Sequence, residues 1–243
     1  MVNAAHDATR ACTRVSVIIP CRDGERYVGE TVRSVLRQDH PGVEIIVVDD
    51  GSADRSPEAV KAFGDAVRYV RQPPAGASVA RNRGVELATG EALAFLDADD
   101  LWSEGALPRM LAALESDPSV GMVVGHMEQF VSPELPPESR LGFRFSPEPV
   151  PARMCGAVLV RRAEFDRVGG FSPRLESGEF IDWLLRAEDL GVRSVTIPDV
   201  VLRRRLHRSN HGIVRRDARQ DYVRVVKAAL DRRRATAPGR SPS

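Results

Sequence analysis

The chain has 243 residues, 42% of them hydrophobic, and a formal net charge of +1 at pH 7. This length is enough to bury a sizeable core, and it predicts one large domain or one domain with an appendage. The near-neutral charge excludes a global electrostatic attraction to nucleic acid or to an acidic membrane surface. We therefore expect no nucleic-acid partner.

The cysteines and the hydropathy pattern bear on the cellular compartment. Cys12, Cys21 and Cys155 lack the spacing of a metal site or of a disulfide framework, as is usual in a reducing compartment. No apolar run reaches the roughly 18 residues that a membrane span needs. Residues 1–10 also lack the apolar core of a signal peptide. The sequence thus predicts a cytoplasmic protein without an integral membrane segment.

Strand and helix patterns alternate along the first half of the chain. Buried-strand runs are predicted at residues 15–20, 43–48, 66–71, 92–96 and 120–125. Helical spacing lies between them at residues 27–38, 77–88 and 107–115, and a further helix is predicted from Asp54 or Ser56, with Pro57 in its first turn. This order predicts an open, mostly parallel α/β sheet.

The second half is less regular. A proline-rich stretch at residues 132–151 predicts a loop or an irregular crossover. Strands are then predicted at residues 155–160, 192–197 and 200–206, and helices at 162–168 and 179–190. A basic helix is predicted at residues 215–234, with Tyr222, Val225, Val226 and Ala229 on one face. Residues 1–13 and 235–243 are expected to be disordered.

Acidic residues follow two of the predicted strands. Asp97, Asp99 and Asp100 come after one apolar run, and Asp49 and Asp50 close another. Neighbouring carboxylates raise one another's pKa unless a cation neutralises them. A divalent metal that bridges to phosphate oxygens would do so, whereas an isolated Asp-x-Asp is more often a solvated turn.

The position of these residues in the predicted sheet favours a binding site. Ligands of open parallel sheets bind beyond the carboxyl ends of the strands. Pro20, the Asp49–Asp50 pair and the Asp97–Asp99 pair all fall at such ends. We therefore expect them to converge.

Several segments, taken in order, resemble family 2 glycosyltransferases. They are residues 15–20, 34–38, 47–54, 80–84, 88–91 and 95–100, followed by 156–160 and 165–171. The resemblance covers roughly Val15 to Asn210. It implies an α/β, GT-A (Rossmann-like) fold with a mostly parallel central sheet and helices on both faces. The basic helix predicted at residues 215–234 lies beyond this single domain. It also implies a nucleotide-sugar donor, Mn²⁺ or Mg²⁺, and inversion at the anomeric carbon.

Together with the sequence pattern at both ends, the resemblance predicts four parts of the chain. Residues 1–13 are expected to be a disordered N-terminal segment, and residues 14–125 are expected to form the half that binds the donor. Residues 126–214 are expected to form the half that binds the acceptor and supplies the base, and residues 215–243 are expected to form the basic helix and tail.

The resemblance assigns roles at the metal and the donor sugar. Asp99 is expected to hold the metal and Asp97 to contact the ribose or the sugar. His207 is expected to contact metal or phosphate, although a solvated basic loop is the simpler alternative. Asp100 either joins this group or caps the next segment.

The nucleotide base is expected to lie against residues from the first two strands. By resemblance, Asp50 accepts a hydrogen bond from the base, usually uracil, and Asp49 shares that role or shapes a turn. Pro20 ends the first strand where backbone groups meet the base. Arg22 stands where the family more often has an aromatic residue. Arg81 reaches the base or the phosphates, or else forms a salt bridge with Glu86 or Asp50.

The general base is expected on the helix that begins near residue 179. The family usually has an adjacent Glu-Asp pair here, but Phe180 occupies the slot of the Asp. Glu179 and Asp182 share one helix face, and one of them is expected to be the base. The alternatives are a dipole-stabilised carboxylate for Glu179 and an ion pair with Arg186 for Asp182.

These observations favour an inverting glycosyltransferase that moves a hexose from a UDP-linked donor to a soluble acceptor, such as a peptide, a natural product or a glycan precursor. A sugar nucleotidyltransferase is the first alternative, although residues 21–25 lack its glycine-rich phosphate loop. The second alternative is an inactive nucleotide-sugar-binding scaffold, which Phe180 in the base slot keeps open. The acceptor and the oligomeric state stay open.

Overall fold

The computed structural model describes residues 13–136, 148–208, 210 and 219–236. The strands in these ranges are β1 (Val15–Cys21), β2 (Val43–Asp49), β3 (Arg68–Arg71), β4 (Ala92–Phe95), β5 (Leu101–Trp102), β6 (Met122–Val131), β7 (Val150–Pro151), β8 (Val158–Arg161) and β9 (Ser194–Leu206). The helices are α1 (Val28–Leu36), α2 (Ser56–Lys61), α3 (Ala77–Leu87), α4 (Ala106–Ser116), α5 (Arg162–Val168), α6 (Glu179–Asp189) and α7 (Arg219–Thr236). Short 3₁₀ turns lie at Gly64–Ala66 and Cys155–Ala157.

All these strands belong to one sheet, in the order β3-β2-β1-β4-β8-β6-β9-β5, with β7 paired to β6. The pairs β3–β2, β2–β1 and β1–β4 are parallel, as the alternation of strand and helix patterns predicts. β8 lies between β4 and β6 and runs antiparallel to both, whereas β6 and β9 are parallel. The expected α/β, mostly parallel fold is confirmed, and β1, β2 and β4 end at the same edge.

The two strands predicted at residues 192–197 and 200–206 are one strand, β9. Pro198 interrupts the apolar pattern and suggested a break. The pairing with β6 instead shifts register between Val124 and His126, and a β-bulge tolerates a proline that cannot donate to the ladder. The strand therefore runs without a break to Leu206, directly before His207.

Helices cover both faces of the sheet and enclose two hydrophobic clusters. Along β1, Val17 and Ile19 face the cluster under α1, α2 and α4, whereas Ile18 faces the cluster under α3, α5 and α6. Successive side chains of a strand point to opposite faces, so a continuous apolar run supplies both clusters. The predicted arrangement of helices on both faces is confirmed.

The C-terminal helix α7 buries only half of the face predicted for it. Val225 and Ala229 are buried, but Tyr222 and Val226 are 48% and 51% exposed. The face toward the domain runs through Asp221, Val225 and Ala229, spaced four residues apart as on one side of a helix. Helix α7 also continues to Thr236, past the predicted start of a disordered tail at residue 235.

Some predictions fall outside the described residues. These are disorder at residues 1–12 and 237–243, the middle of the proline-rich stretch at 137–147, and the start of the basic helix at 215–218. Within the described ranges, no helix combines the length and apolar character needed to cross a bilayer.

Candidate active site

A cleft opens where β1, β2 and β4 end, and it contains two adjoining cavities of about 660 and 530 Å³. Pro20 and Arg22 line both cavities. The larger cavity is also lined by Asp50, Arg81, Asp97, Glu179, Arg204 and Tyr222. The smaller cavity is also lined by Tyr27, Asp99 and His207. The structure thus brings most of the sequence-predicted site residues to one cleft.

Asp99 and His207 meet at the smaller cavity. The His207 Nε2 atom lies 2.8 Å from Asp99 Oδ2, and Asn210 Nδ2 donates to the same oxygen at 3.3 Å. The Asn210 Oδ1 atom accepts from the His207 backbone N–H at 2.6 Å, and the Tyr27 ring lies 4.7 Å from the imidazole. The ends of β4 and β9 therefore present one carboxylate and one imidazole side by side.

Asp99 and His207 together could hold a divalent metal whose remaining coordinating atoms come from a bound substrate. In the described part of the chain, no three His, Cys, Asp or Glu side chains are grouped as a metal site. A metal at Asp99 and His207 would therefore take its other ligands from phosphate oxygens and water, as Mg²⁺ commonly does. The carboxylate suits Mn²⁺ or Mg²⁺, and the imidazole is a common ligand of transition metals.

Asp100 connects the turn after β4 to β9. It is buried, and its Oδ1 accepts from the Arg205 backbone N–H at 2.8 Å. Burial raises the pKa of the Asp100 carboxyl well above its ordinary range, and the charges of Asp99 and Asp97 raise it further. Asp100 does not cap a helix. It instead holds the residue 97–100 turn beside the strand that carries His207.

Arg81, on α3, lies between two carboxylates of the larger cavity. Its Nη2 donates to Asp97 Oδ1 at 2.6 Å, and its Nη1 donates to Glu179 Oε1 at 2.7 Å. Burial by itself lowers the pKa of the guanidinium, but the Asp97 and Glu179 charges outweigh burial and raise that pKa. Neither of the alternative salt bridges forms: Glu86 pairs with Arg83, and Asp50 accepts hydrogen bonds from residues 72, 75 and 76.

Asp50 is buried and shapes the wall of the larger cavity. Its Oδ1 accepts from Gln72 Nε2 and from the Ala75 N–H, and its Oδ2 accepts from the Gly76 N–H, each at 2.8 Å. Gly51 has a φ of +76°, and a Cβ there would lie 2.5 Å from Pro74 Cγ. A glycine is therefore required for the chain to turn beside this wall.

Asp49, the last residue of β2, is buried and lines neither of the two cavities. Its Oδ2 accepts from Tyr69 Oη at 2.5 Å, and its Oδ1 accepts from the Ser52 N–H at 2.7 Å. Burial raises the pKa of the Asp49 carboxyl, but these hydrogen bonds outweigh burial, so the pKa is lowered overall. The contacts give Asp49 a structural role at the end of β2.

Replacing Tyr69→Phe removes one of these bonds, and we expect the free energy of unfolding to fall by about 1–3 kcal/mol at pH 7. A lowered pKa stabilises the fold above the ordinary aspartate pKa, and this contribution is lost as pH falls through the folded-state pKa. Urea denaturation should therefore show a smaller difference in the free energy of unfolding between the wild type and Tyr69→Phe near pH 3 than at pH 7. The control Tyr222→Phe changes an exposed phenol and should have little effect at either pH. An equal loss at both pH values would contradict the assignment.

Arg22 and Pro20 occupy the junction of the two cavities. Arg22 is exposed and lies 3.9 Å from the carboxylate of Asp23, a long contact that leaves the guanidinium available to a ligand. Pro20, the penultimate residue of β1, pairs with Val48 of β2. The cleft floor at this point is therefore backbone of the central strands.

Glu179 and Asp182, the two candidate bases, have different surroundings. Glu179 begins α6 directly after Gly178 and lines the larger cavity. Asp182 is 9% exposed, pairs with Arg186 at 2.9 Å and lies 3.8 Å from Arg232 of α7. The i,i+4 ion pair considered for Asp182 forms. Phe180, in the slot of the usual Asp, is buried against Trp183 in the core.

Helix α7 contributes residues that the sequence analysis did not assign to the site. The Asp221 Oδ2 atom accepts from the Glu176 and Ser177 backbone N–H groups at 3.2 and 3.4 Å. Tyr222 lines the larger cavity, and its ring lies 3.4 Å from where a Cβ on Gly178 would be. Helix α7 therefore holds the loop that leads to Glu179. Helical periodicity gave no signal for this, because it grouped Tyr222 with Val225, Val226 and Ala229 on one apolar face.

Comparison with known proteins assigns the family. The sequence profile of glycosyl transferase family 2 matches residues 16–169, more than half of the chain. The chain therefore belongs to glycosyl transferase family 2. The matched range includes Asp50, Arg81, Asp97 and Asp99 but ends before Glu179, His207 and α7.

Curated relatives are similar over part of their length. The putative teichuronic acid biosynthesis glycosyltransferase TuaG of Bacillus subtilis is 39% identical over 101 residues, which cover 40% of this chain and 40% of that protein. An uncharacterized glycosyltransferase of Nostoc sp. is 37% identical over 119 residues, which cover 47% of this chain and 37% of that protein. The matched segments thus span about two fifths of these relatives.

Solved structures share the fold. The mannosyltransferase PcManGT from Pyrobaculum calidifontis, in complex with GDP-Man and Mn²⁺, has a TM-score of 0.68 and 23% identity, covering 96% of this chain and 66% of that one. TarS 1–349 from S. aureus, in complex with UDP, has a TM-score of 0.68 and 21% identity, covering 89% of this chain and 65% of that one. Identities this low establish the GT-A fold alone.

Proposed function

We propose that this chain is an inverting glycosyltransferase that transfers a hexose from a nucleotide diphosphate sugar, most simply a UDP-sugar, with the help of Mn²⁺ or Mg²⁺. The observation that carries the proposal is the pairing of Asp99 with His207 beside a cavity that contains Glu179. One cavity thus offers a place for a diphosphate and its metal. The adjoining cavity offers a carboxylate for the acceptor hydroxyl.

The donor would lie across the two cavities. Pro20, Arg22 and Asp50 line the part proposed for the nucleotide. Asp97 is 38% exposed and keeps Oδ2 for a ribose or sugar hydroxyl, since only its Oδ1 is bound by Arg81. Asp49 would act through the end of β2 rather than by contact with the base. A bound divalent metal would supply Lewis-acid stabilisation of the departing diphosphate.

The reaction we propose is a single displacement. Glu179 removes the proton of the acceptor hydroxyl as its oxygen bonds to the anomeric carbon, and the bond from that carbon to the diphosphate oxygen breaks. Both carboxylates pair with an arginine, so we assign the base to Glu179 because it lines the larger cavity, whereas Asp182 lines neither of the two cavities. Attack from the side opposite the leaving group inverts the anomeric centre.

The acceptor would bind where Tyr222 and Glu179 line the larger cavity. A soluble peptide, natural product or glycan precursor remains our proposal for its class. Cys21 and Cys155 are free and buried, which agrees with the proposed cytoplasmic location.

A thermal-shift titration tests the donor and metal assignments. We expect one class among UDP-, GDP- and dTDP-sugars to raise the melting temperature with Mn²⁺ or Mg²⁺ but not with EDTA, because a ligand that binds only the native state stabilises it. Asp99→Ala should lose this shift, whereas Asp166→Asn, outside the cleft, should keep it. No shift for the wild type with any donor would contradict the proposal.

The inactive-scaffold alternative makes a separate prediction. Phe180 in the base slot is its main support, but Phe180 is buried in the core and Glu179 is in the cavity. A scaffold would show donor-dependent stabilisation without turnover in the wild type. A sugar nucleotidyltransferase would instead release pyrophosphate from a nucleoside triphosphate and a sugar phosphate.

A further inference from the structure

We infer that Arg81 is a positioning residue that couples the donor site to the general base, an inference that rests on the proposed function. One guanidinium bridges two carboxylates that this function assigns to opposite substrates. Its Nη2 bonds Asp97 on the donor side and its Nη1 bonds Glu179 on the acceptor side, at 2.6 and 2.7 Å. No other contact described above joins the two proposed half-sites through a single side chain.

In each carboxylate, one oxygen accepts from Arg81 and the other does not. Asp97 accepts through Oδ1 and Glu179 through Oε1. Among the described residues, neither Asp97 Oδ2 nor Glu179 Oε2 has a hydrogen-bond partner. Asp97 Oδ2 is therefore left for a donor hydroxyl and Glu179 Oε2 for the acceptor proton. The rigid fork of an arginine fixes the separation of these two oxygens.

The burial of Arg81 indicates that this arrangement serves more than stability. Its side chain is 5% exposed, and its Nε has no hydrogen-bond partner although it is buried. An unsatisfied buried donor costs free energy, and such groups in native structures call for an explanation. Arg81 also lies beside the Phe171 ring, which restricts the guanidinium from the core side.

The coupling follows from the geometry of the fork. If Glu179 no longer accepts from Nη1, the guanidinium is free to turn and bind Asp97 through both oxygens, the geometry that arginine prefers with a carboxylate. Oδ2 of Asp97 would then be taken from the donor. Loss of the base-side hydrogen bond should therefore weaken donor binding, although removal of a nearby negative charge would by itself favour an anionic donor.

Two substitutions of Glu179 separate the hydrogen bond from the charge. Glu179→Gln and Glu179→Ala remove the same charge, but only the glutamine keeps an oxygen that accepts from Arg81. The Kd of each variant is measured by calorimetric titration with UDP-N-acetylglucosamine and with GDP-mannose, each with Mn²⁺. We expect the donor Kd of Glu179→Ala to be at least about fivefold higher than that of Glu179→Gln, which is a usual size for coupling between two sites. Melting temperatures of the variants confirm that each is folded.

The same comparison in Arg81 variants tests whether Arg81 mediates the coupling. In Arg81→Met, or in Arg81→Lys if Arg81→Met does not fold, the difference in donor Kd between the two Glu179 variants should disappear. Arg83→Met alters an exposed arginine on the same helix, and that difference in Kd should persist in it. Equal Kd values for the Glu179 variants, or a difference that persists without Arg81, would overturn the inference. If the wild type binds neither UDP-N-acetylglucosamine nor GDP-mannose, the proposed nucleotide-sugar donor is contradicted, and with it the function on which the inference rests.

Discussion

Replacing Glu179→Gln should lower the turnover number by about 10²–10⁴-fold while the Kd of the nucleotide sugar stays within about twofold. The amide keeps the hydrogen bond with Arg81 and the volume of the side chain, but it cannot accept the acceptor proton. Steady-state transfer kinetics and donor titration on the same preparation measure the two quantities.

Two matched variants make this assignment specific. Asp182→Asn removes a carboxylate from the same helix, and because Asp182 pairs with Arg186 we expect a loss of stability with little loss of turnover. Glu176→Gln removes another carboxylate that lines the larger cavity, and it should retain most of the turnover. If Asp182→Asn or Glu176→Gln is the inactive variant, Glu179 is not the base.

Replacing Asp99→Asn should lower turnover by about 10²–10³-fold at every Mn²⁺ concentration. Charge that develops on the departing diphosphate would lose its stabilisation, and loss of a single electrostatic contact of this kind commonly costs that much. His207→Gln should act differently, because it leaves Asp99 in place. We expect its activity to recover partly as Mn²⁺ is raised.

Activity measured against Mn²⁺ concentration checks this pair of variants. The control is Asp23→Asn, which removes another carboxylate from the rim of the smaller cavity without touching Asp99 or His207. Full activity of Asp99→Asn, or a wild-type rate that EDTA leaves unchanged, would show that the proposed metal site is wrong.

The donor side of the site was largely predictable from the sequence. Buried parallel strands are continuous apolar runs in the sequence, so β1, β2 and β4 could be placed and their carboxyl ends assigned to one edge. Pro20, Asp50, Asp97 and Asp99 follow from that placement, and the structure brings all four to the cleft. Local periodicity was sufficient because these residues directly continue the strands.

Other elements could not be placed in this way. β8 lies between β4 and β6, although it comes later in the chain than both. The sequence of its four residues does not indicate with which strands they pair. The buried face of α7 was predicted only in part, because a basic helix with scattered apolar residues allows more than one packing face. Val225 and Ala229 are buried, but Tyr222 and Val226 are about half exposed. On the buried side, Asp221 accepts from the backbone N–H groups of residues 176 and 177, a contact that helical periodicity does not predict.

The sequence by itself determined the class of fold, the family and the edge of the sheet at which the site lies, because strand patterns and the motifs that follow them are local. The tertiary structure decided which side chains meet. Arg81 and Glu179 are 98 residues apart, and Asp99 and His207 are 108 residues apart. Such pairs form only when β4, β9, α3 and α6 pack around one cleft, and no periodicity within a single element records the position of another.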